Sequence, residues 1–158
     1  MTSFKLRKLA TLIEGWKETS FVRKTAKDIS AELSVKVPFA GTALPQDFVH
    51  DRLPPEIKSA WVFVIRPRGV APSHLHPNSV QHMAVIGGTG NATVAGKTFQ
   101  LRPFDPAFPF ETIYVIDQNV SHSVEAGNES LVLLSFHNVL PDELIEIEAE
   151  TGEERKYT

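Results

Sequence analysis

Apolar residues recur at helical spacing in the N-terminal part of the chain. One apolar stripe is formed by Phe4, Leu6, Leu9, Leu12, Ile13 and Trp16. A period of three to four residues is typical of an amphipathic helix, so the first helix is predicted to start at Ser3. Gly15 and the pair Thr19-Ser20 indicate a break, after which a second helix runs from about Phe21 to Leu33. The pattern therefore predicts a helical extension over residues 1–34.

Short β-forming runs replace this helical period after Ala60. Glycine, proline or asparagine residues separate them, as is typical of strands joined by turns. Such strands at this spacing favour an antiparallel sandwich or barrel over residues 35–148, followed by a C-terminal tail over 149–158 that is expected to fray. The predicted strands are Val35–Phe39, Trp61–Ile65, Met83–Ile86, Ala92–Ala95, Thr112–Ile116, Leu131–Phe136 and Leu144–Glu148.

Length and composition limit the possible classes of protein. The 158 residues are enough for one domain, and 42% hydrophobic with 22% charged residues is the composition of a soluble globular protein. The sequence contains no cysteine, which excludes thiolate zinc sites, iron–sulfur clusters and cysteine nucleophiles. Any metal ion must therefore be held by nitrogen and oxygen atoms.

The distribution of charge and apolar residues predicts the location and the partners. No apolar run approaches the roughly 20 residues that span a bilayer, and charges interrupt the N-terminal apolar segment, so a cytoplasmic protein without a membrane partner is expected. A net charge of −3 predicts no nucleic-acid partner. The start of the chain is basic and its end acidic, which is typical of solvated faces that would oppose each other in a homodimer.

Two histidines separated by one residue suggest metal chemistry. His74 and His76 lie in a stretch that is expected to be extended, where alternate side chains point to the same face. Two imidazoles that converge on one point suit zinc, iron, copper or nickel better than magnesium or calcium. Such a pair is weak evidence by itself, so the surrounding residues decide its weight.

The segment GVAPSHLHPNSVQHMAVIGGTGNATVAGK, residues 69–97, resembles the first motif of the cupin superfamily. In that motif a His-x-His pair is followed after three or four residues by a glutamate and then by a glycine. Here His74 and His76 are followed by Gln81 and Gly88. The segment ETIYVIDQNVSHSVEAGNE, residues 111–129, resembles the second cupin motif and contributes His122.

The resemblance implies a mainly β fold, the jelly-roll barrel called a double-stranded β-helix. It also implies one divalent transition metal ion per chain, held by His74, His76 and His122, with Fe²⁺ foremost and Zn²⁺, Ni²⁺ or Mn²⁺ as alternatives. Other small cupins are homodimers, which agrees with the charge distribution.

The chain departs from the cupin pattern at two informative places. Gln81 stands where the family has a metal-binding glutamate; it is either a neutral ligand or a hydrogen-bonding residue inside the barrel. Three neutral imidazoles leave the charge of a dication uncompensated, which favours small substrates that chelate as anions. Because the glutamate is missing, a further alternative is that the motif persists in the sequence but no longer binds a metal ion. In the second motif Asn119 replaces a turn glycine, whose left-handed conformation asparagine can adopt.

The remaining polar and aromatic candidates are weaker. His82 follows Gln81, so it points to the opposite face of the strand and is a ligand only if a bulge turns it inward. His137 is expected to line the barrel mouth or to cap a buried polar group, and His50 to be exposed. Phe104, Phe108 and Phe110 are expected either to wall the pocket or to pack on the helices, and Arg66 to lie at the barrel mouth or on the surface. The candidates for an acid–base group are Glu111, Asp117 and Glu125, unless all three point outward.

Two classes of function remain open on the sequence. The first is a metal-dependent enzyme acting on a small anionic chelating molecule, with a dioxygenase-type oxidation foremost and isomerisation or cyclisation as alternatives. The second is a binding or sensing module without catalysis. Helices that cover the barrel mouth would favour the enzyme, and helices along the side of the barrel would favour the module.

Overall fold

Two helices form the N-terminal extension, as the apolar period predicts. In the computed structural model, which describes residues 3–156, helix α1 spans Ser3–Trp16 and helix α2 spans Ser20–Glu32. Thr19 separates them: its hydroxyl donates to the carbonyl of Trp16 at 2.8 Å and accepts the amide of Val22 at 3.3 Å. An N-cap of this kind satisfies an amide that the first turn of a helix leaves unpaired.

Strands and short helical turns make up the rest of the chain. The short helices are α3, Gln46–Val49, and α4, Pro109–Thr112. Within residues 3–156 the strands are β1 Phe39–Ala43, β2 Ser59–Ile65, β3 Val70–Leu75, β4 Gln81–Gly87, β5 Gly90–Val94, β6 Lys97–Gln100, β7 Tyr114–Ile116, β8 His122–Ala126, β9 Leu131–His137, β10 Glu146–Glu148 and β11 Glu154–Arg155.

The strands form two antiparallel sheets. The five-stranded sheet has the order β1-β2-β9-β4-β7, and the six-stranded sheet has the order β11-β10-β3-β8-β5-β6. From β2 onward the chain changes sheet at almost every connection, as expected for the predicted jelly-roll arrangement. The mainly β fold with an N-terminal helical extension is confirmed.

The five-stranded sheet is buried on both faces. Along β9, Leu131 and Leu133 face the interior between the sheets, whereas Leu134 and Phe136 face the opposite side. Helices α1 and α2 pack on this outer side, where their buried apolar residues belong to the same core cluster as Leu134 and Phe136. The helices therefore lie along the side of the barrel, against one sheet.

The strand predicted at Val35–Phe39 is wrong: the strand found there is β1, which begins at Phe39. Val35 and Val37 are 78% and 51% exposed. Ser34 and Val37 close a tight turn, in which the amide of Ser34 donates to the carbonyl of Val37 at 2.9 Å and the Ser34 hydroxyl accepts the amide of Val37 at 3.1 Å. β-Branched residues without a neighbouring strand therefore do not form one.

Two other predicted boundaries differ from the structure. Thr112 ends helix α4 and does not start β7; its hydroxyl donates to the carbonyl of Phe108 at 2.9 Å. The C-terminal tail does not fray throughout, because β11 pairs with β10, with Glu146 opposite Arg155. Among the described residues, no helix is long and apolar enough to span a membrane.

Candidate metal centre

The structure brings His74, His76 and His122 together between the two sheets. His74 lies on β3 directly opposite His122 on β8, and His76 follows the end of β3. The three side chains are only 8%, 4% and 2% exposed. One nitrogen from each lies within 4.8 Å of the other two. The cluster could therefore hold a metal ion.

Two irregularities of the backbone place these side chains. The β3–β8 pairing shifts register between Ala71 and His74, as in a β-bulge. Asn119 adopts the left-handed conformation with φ of 62°, which confirms that asparagine can replace the turn glycine. Its amide donates to the carbonyl of His76 at 3.0 Å. This hydrogen bond links the turn before His122 to the segment that carries His74 and His76.

A backbone carbonyl orients each of the three imidazoles. The Nδ1 atoms lie 2.8 Å from the Pro72 oxygen for His74, 2.8 Å from the Ile145 oxygen for His76, and 3.0 Å from the Val120 oxygen for His122. A carbonyl oxygen only accepts, so each Nδ1 carries the proton and donates it. The neutral ring then keeps its lone pair on Nε2, which is the arrangement of a metal-binding histidine.

Burial keeps these rings neutral. It lowers the pKa of His74 from 6.5 to about 4 and that of His122 to about 3, and it also lowers the pKa of His76. Metal ions bind the neutral imidazole. In addition, Nε2 of His122 is buried and has no hydrogen-bond partner among the described residues. A bound metal ion would satisfy this atom, so the residues fit the group that the cupin pattern implies.

Gln81 faces the cluster from the opposite sheet. It is 7% exposed and lines the same cavity as the three histidines. Its Nε2 donates to the Ser135 hydroxyl at 3.3 Å, while its Oε1 is buried without a hydrogen-bond partner in the described part of the chain. The amide oxygen is thus available to a ligand or a metal ion.

The structure does not bring His82 into the cluster. Strand β4 is regular at this point, so His82 pairs with Phe136 and shares its outward face, opposite to Gln81. The pairing leaves no bulge there that could turn His82 inward. His82 therefore lies on the face that the strand alternation predicts, and it is not in the group of three histidines.

A fourth histidine, His137, lies behind the cluster. Its ring centroid is 4.9 Å from that of His76, and its side chain is completely buried. Its Nδ1 lies 2.8 Å from the Ser79 hydroxyl. Capping of a buried polar group is therefore confirmed for His137, and the exposure expected for His50 is confirmed as well.

Sequence reasoning missed Glu146. This carboxylate is 1% exposed, lines the cavity, and has its Oε1 3.3 Å from Nε2 of His74. The only signal in the sequence is the alternation of Leu144-Ile-Glu-Ile-Glu148, which is typical of a strand with its acids in solvent. Its true orientation follows from the pairing of β10 with β3, which the sequence does not contain.

Apolar side chains form most of the cavity wall. The cavity has a volume of about 30 Å³ and is lined on the apolar side by Phe39, Phe63, Ile65, Ala71, Met83, Val124 and Leu133. Phe104 packs with the helices instead, while Phe108 and Phe110 are each 50% exposed near Arg102 and Arg7. Arg66 is not one of the described residues that line the cavity. The acidic residues Glu111, Asp117 and Glu125 are exposed.

Comparison with known proteins supports the fold and leaves the activity open. Neither a protein-family model nor a curated protein matches the sequence. Among solved structures, a mutant salicylate 1,2-dioxygenase from Pseudoaminobacter salicylatoxidans in complex with gentisate has a TM-score of 0.57 at 14% identity, covering 75% of this chain and 31% of that chain. KdgF from Halomonas sp. has a TM-score of 0.51 at 19% identity, covering 70% and 87%. An oxalate decarboxylase from Lactobacillus farciminis, solved as a formate complex, has a TM-score of 0.54 at 19% identity, covering 71% and 31%.

These similarities, together with the sheet topology, identify the fold. The chain has the cupin fold, as its two motifs predict. It spans less than a third of the dioxygenase and of the decarboxylase, and most of KdgF. Within this fold, it is a small barrel with three buried histidines that could bind a metal ion.

Proposed function

We propose that this chain is a metal-dependent cupin enzyme that acts on a small anionic, chelating substrate, most simply by a dioxygenase-type oxidation. The observation that carries the proposal is the orientation of the cluster: three buried imidazoles, each with Nδ1 bound to a carbonyl, direct their Nε2 lone pairs into one cavity.

The proposed metal ligands are His74, His76 and His122, with the Gln81 amide oxygen beside them. Three nitrogen donors suit a divalent transition metal ion, Fe²⁺ foremost, with Zn²⁺, Ni²⁺ or Mn²⁺ as alternatives. When bound, such an ion would polarise a chelating oxygen and, as iron, would support oxidation by dioxygen. The protein supplies orientation, through the carbonyl contacts, and a cavity whose walls are mostly apolar.

With a metal ion bound, the cavity would favour a substrate with an anionic head on an apolar body. Of the described residues that line the cavity, none is a lysine or an arginine. An anionic group would therefore find its positive partner in the metal ion, whose charge three neutral imidazoles do not balance. Phe39 and Phe63 offer apolar surface to the remainder of the substrate. Carboxylates and enolates with a small hydrocarbon part meet these conditions.

A binding or sensing module is the second candidate, and the position of the helices favours it. No described residue of α1 or α2 lines the cavity, because both helices pack on the outer face of the five-stranded sheet. The helices therefore leave the cavity opening uncovered.

An isomerase or cyclase would also need an acid–base group near the substrate. The candidates Glu111, Asp117 and Glu125 are all exposed, so none of them supports this alternative.

The experiment that tests the proposal is elemental analysis of protein purified without added metal. Near-stoichiometric metal is expected in the native protein and in the control His50→Ala, which changes an exposed histidine, but not in His76→Ala. Iron would lead to oxygen-consumption assays with thiols, diketones and enolisable acids. Zinc or nickel would direct the search to isomerisation and cyclisation. A native protein that holds no metal, and takes up none on reconstitution, would contradict the metalloenzyme and leave the binding module.

A further inference from the structure

Strand β10 places a carboxylate beside the proposed metal ligands. Strands β10, β3 and β8 are consecutive neighbours in the six-stranded sheet, and the three histidines come from β3 and β8 or from the residue that follows β3. Glu146 on β10 is 1% exposed and lines the same cavity. A carboxylate this deeply buried requires a cation, since its desolvation is costly.

The contact between Glu146 and His74 lacks a proton between its two atoms. Nδ1 of His74 donates its proton to the carbonyl of Pro72, so Nε2 presents a lone pair. This lone pair faces the carboxylate Oε1 at 3.3 Å, and both atoms are acceptors. A metal ion next to both atoms would bind each of them, in addition to the ion pair that Glu146 already makes with Arg155.

The separation of these two atoms is that of two ligands on one metal ion. Metal–nitrogen and metal–oxygen bonds of about 2.1 Å, at angles between octahedral and tetrahedral, place neighbouring ligand atoms about 3.0–3.4 Å apart. The observed 3.3 Å lies within this range. Glu146 is not among the residues whose ligand atoms all lie within 4.8 Å of one another, so its carboxylate, which already contacts His74, would have to move towards His76 and His122 to share their ion.

The other carboxylate oxygen is held by the C-terminal hairpin. Oε2 of Glu146 lies 2.9 Å from Nη2 of Arg155, which is directly opposite Glu146 in the β10–β11 pair. Asn78 fixes the preceding segment, because its side chain accepts the amide of Ile145 at 3.2 Å and donates to the carbonyl of Glu143. One oxygen is thus paired with a guanidinium, and the other is directed to the histidines.

We propose that Glu146 is a fourth protein ligand of the metal ion and supplies the carboxylate that Gln81 no longer provides, with Arg155 as the residue that positions it. This inference rests on the proposed metal centre. The resulting set of three imidazoles and one carboxylate comes from three neighbouring strands of a single sheet. The carboxylate charge is shared between Arg155 and the ion, so an anionic substrate still finds net positive charge at the site.

The test is a titration of metal-free protein with Co²⁺ alone, followed by its visible absorption spectrum, which reports the ligand set without any assay of activity. Glu146→Gln keeps the shape of the side chain and removes the charge. It is expected to weaken Co²⁺ binding by at least about tenfold and to shift the spectrum. The matched control Glu154→Gln removes an exposed carboxylate from β11 and is expected to change neither.

The two proposals fail in different ways. Co²⁺ binding with native affinity and spectrum in Glu146→Gln, together with loss of binding in His76→Ala, would overturn the role of Glu146 and leave the metal centre intact. Absence of Co²⁺ binding by the native protein would overturn both proposals. If Glu146→Gln does not fold, Glu146→Asp is measured in its place. It keeps the negative charge but shortens the side chain by one methylene, so a changed Co²⁺ spectrum is expected. A native spectrum in Glu146→Asp would likewise overturn the inference.

Discussion

At the scale of single residues, the candidate site is organised by carbonyl groups. Pro72, Val120 and Ile145 each use a backbone oxygen to fix one imidazole. Substitution of their side chains would leave these hydrogen bonds in place, since the oxygen belongs to the main chain. The chemistry of the site therefore depends on few side chains. The residues at positions 81 and 146, the neutral Gln81 and the carboxylate Glu146, determine the net charge beside the three histidines.

Gln81→Glu is expected to tighten the binding of a divalent metal ion by about tenfold or more, because it adds a negative charge beside three neutral imidazoles. The same change is expected to lower the free energy of unfolding of the metal-free protein, since it buries a second carboxylate. Calorimetric titration with Ni²⁺ and urea unfolding measure the two effects. Gln100→Glu, at an exposed position of β6, is the control. Unchanged or weaker metal binding would show that Gln81 does not face the ion.

His82 makes the stability of the metal-free protein depend on pH. Both its ring nitrogens are buried without a hydrogen-bond partner among the described residues, and burial lowers its pKa from 6.5 to about 4. Between these values the unfolded chain binds a proton that the folded chain does not. The free energy of unfolding therefore falls as the pH falls through this window, by up to about 1.4 kcal/mol per pH unit for this residue.

His82→Leu is expected to remove this contribution and so to reduce the slope of the pH dependence of unfolding. The remaining slope comes from the other buried histidines, whose pKa values are also lowered. Urea unfolding of metal-free protein at about pH 7.5, 6 and 5 measures the slope. His50→Leu changes an exposed histidine and is expected to leave the slope as it is. A His82→Leu slope equal to the native one would mean that His82 is already charged in the folded protein.

Individual site residues could be predicted from the sequence where the spacing between them along the chain determines how their side chains point. The His-x-His pair and the second motif led to the three histidines that the fold brings together. Glu146 was not predictable in the same way, because an Ile-Glu-Ile-Glu run places its acids in solvent unless the strand is paired on the other face. Only the register of β10 against β3 decides this.

At the scale of elements, turns position the site more than strands do. The turn before β8 passes through the left-handed conformation at Asn119 and ends at His122. The tight turn at Ser34 and Val37 shows the converse case, in which local hydrogen bonds override a β-forming composition. Strand positions were predictable from alternation, whereas strand ends depended on such turns.

Asn119→Val is expected to destabilise the protein by about 1–2 kcal/mol, because a β-branched residue does not tolerate a positive φ. Asn119→Gly, which accepts this conformation, is expected to change the free energy of unfolding by much less. Urea unfolding of both variants gives the comparison. Equal losses in the two variants would indicate that the asparagine side chain, and not the backbone conformation, stabilises the turn.

At the scale of the whole molecule, both sheets end in edge strands. These are β1 and β7 in the five-stranded sheet and β11 and β6 in the six-stranded sheet. Exposed edges favour association with another chain. The basic α1 and the acidic C-terminal region also offer complementary charges. The fold itself was predictable because composition, periodicity and the two motifs agree. For the assembly, the sequence offers only its uneven charge, which does not locate the contacting surfaces.

A homodimer is expected in solution, with a mass of twice the 17.5 kDa of the chain. If opposed charges hold it together, about 0.5 M NaCl should shift it toward the monomer, since salt screens such contacts. Light scattering after size exclusion, at low and at high salt, measures both. A monomer at low salt would contradict the prediction, and a dimer that resists salt would indicate an apolar contact.

The alternation of the chain between the two sheets also determines the order in which the molecule can assemble. Helices α1 and α2 are local structures and form in about a microsecond, whereas β2 must find β9, and β3 must find β8, across much of the chain. The two helices can therefore form while the barrel is still incomplete. Glu146 joins the other proposed ligands only once β10 has paired with β3. Metal uptake by the complete ligand set would therefore follow the pairing of these two strands.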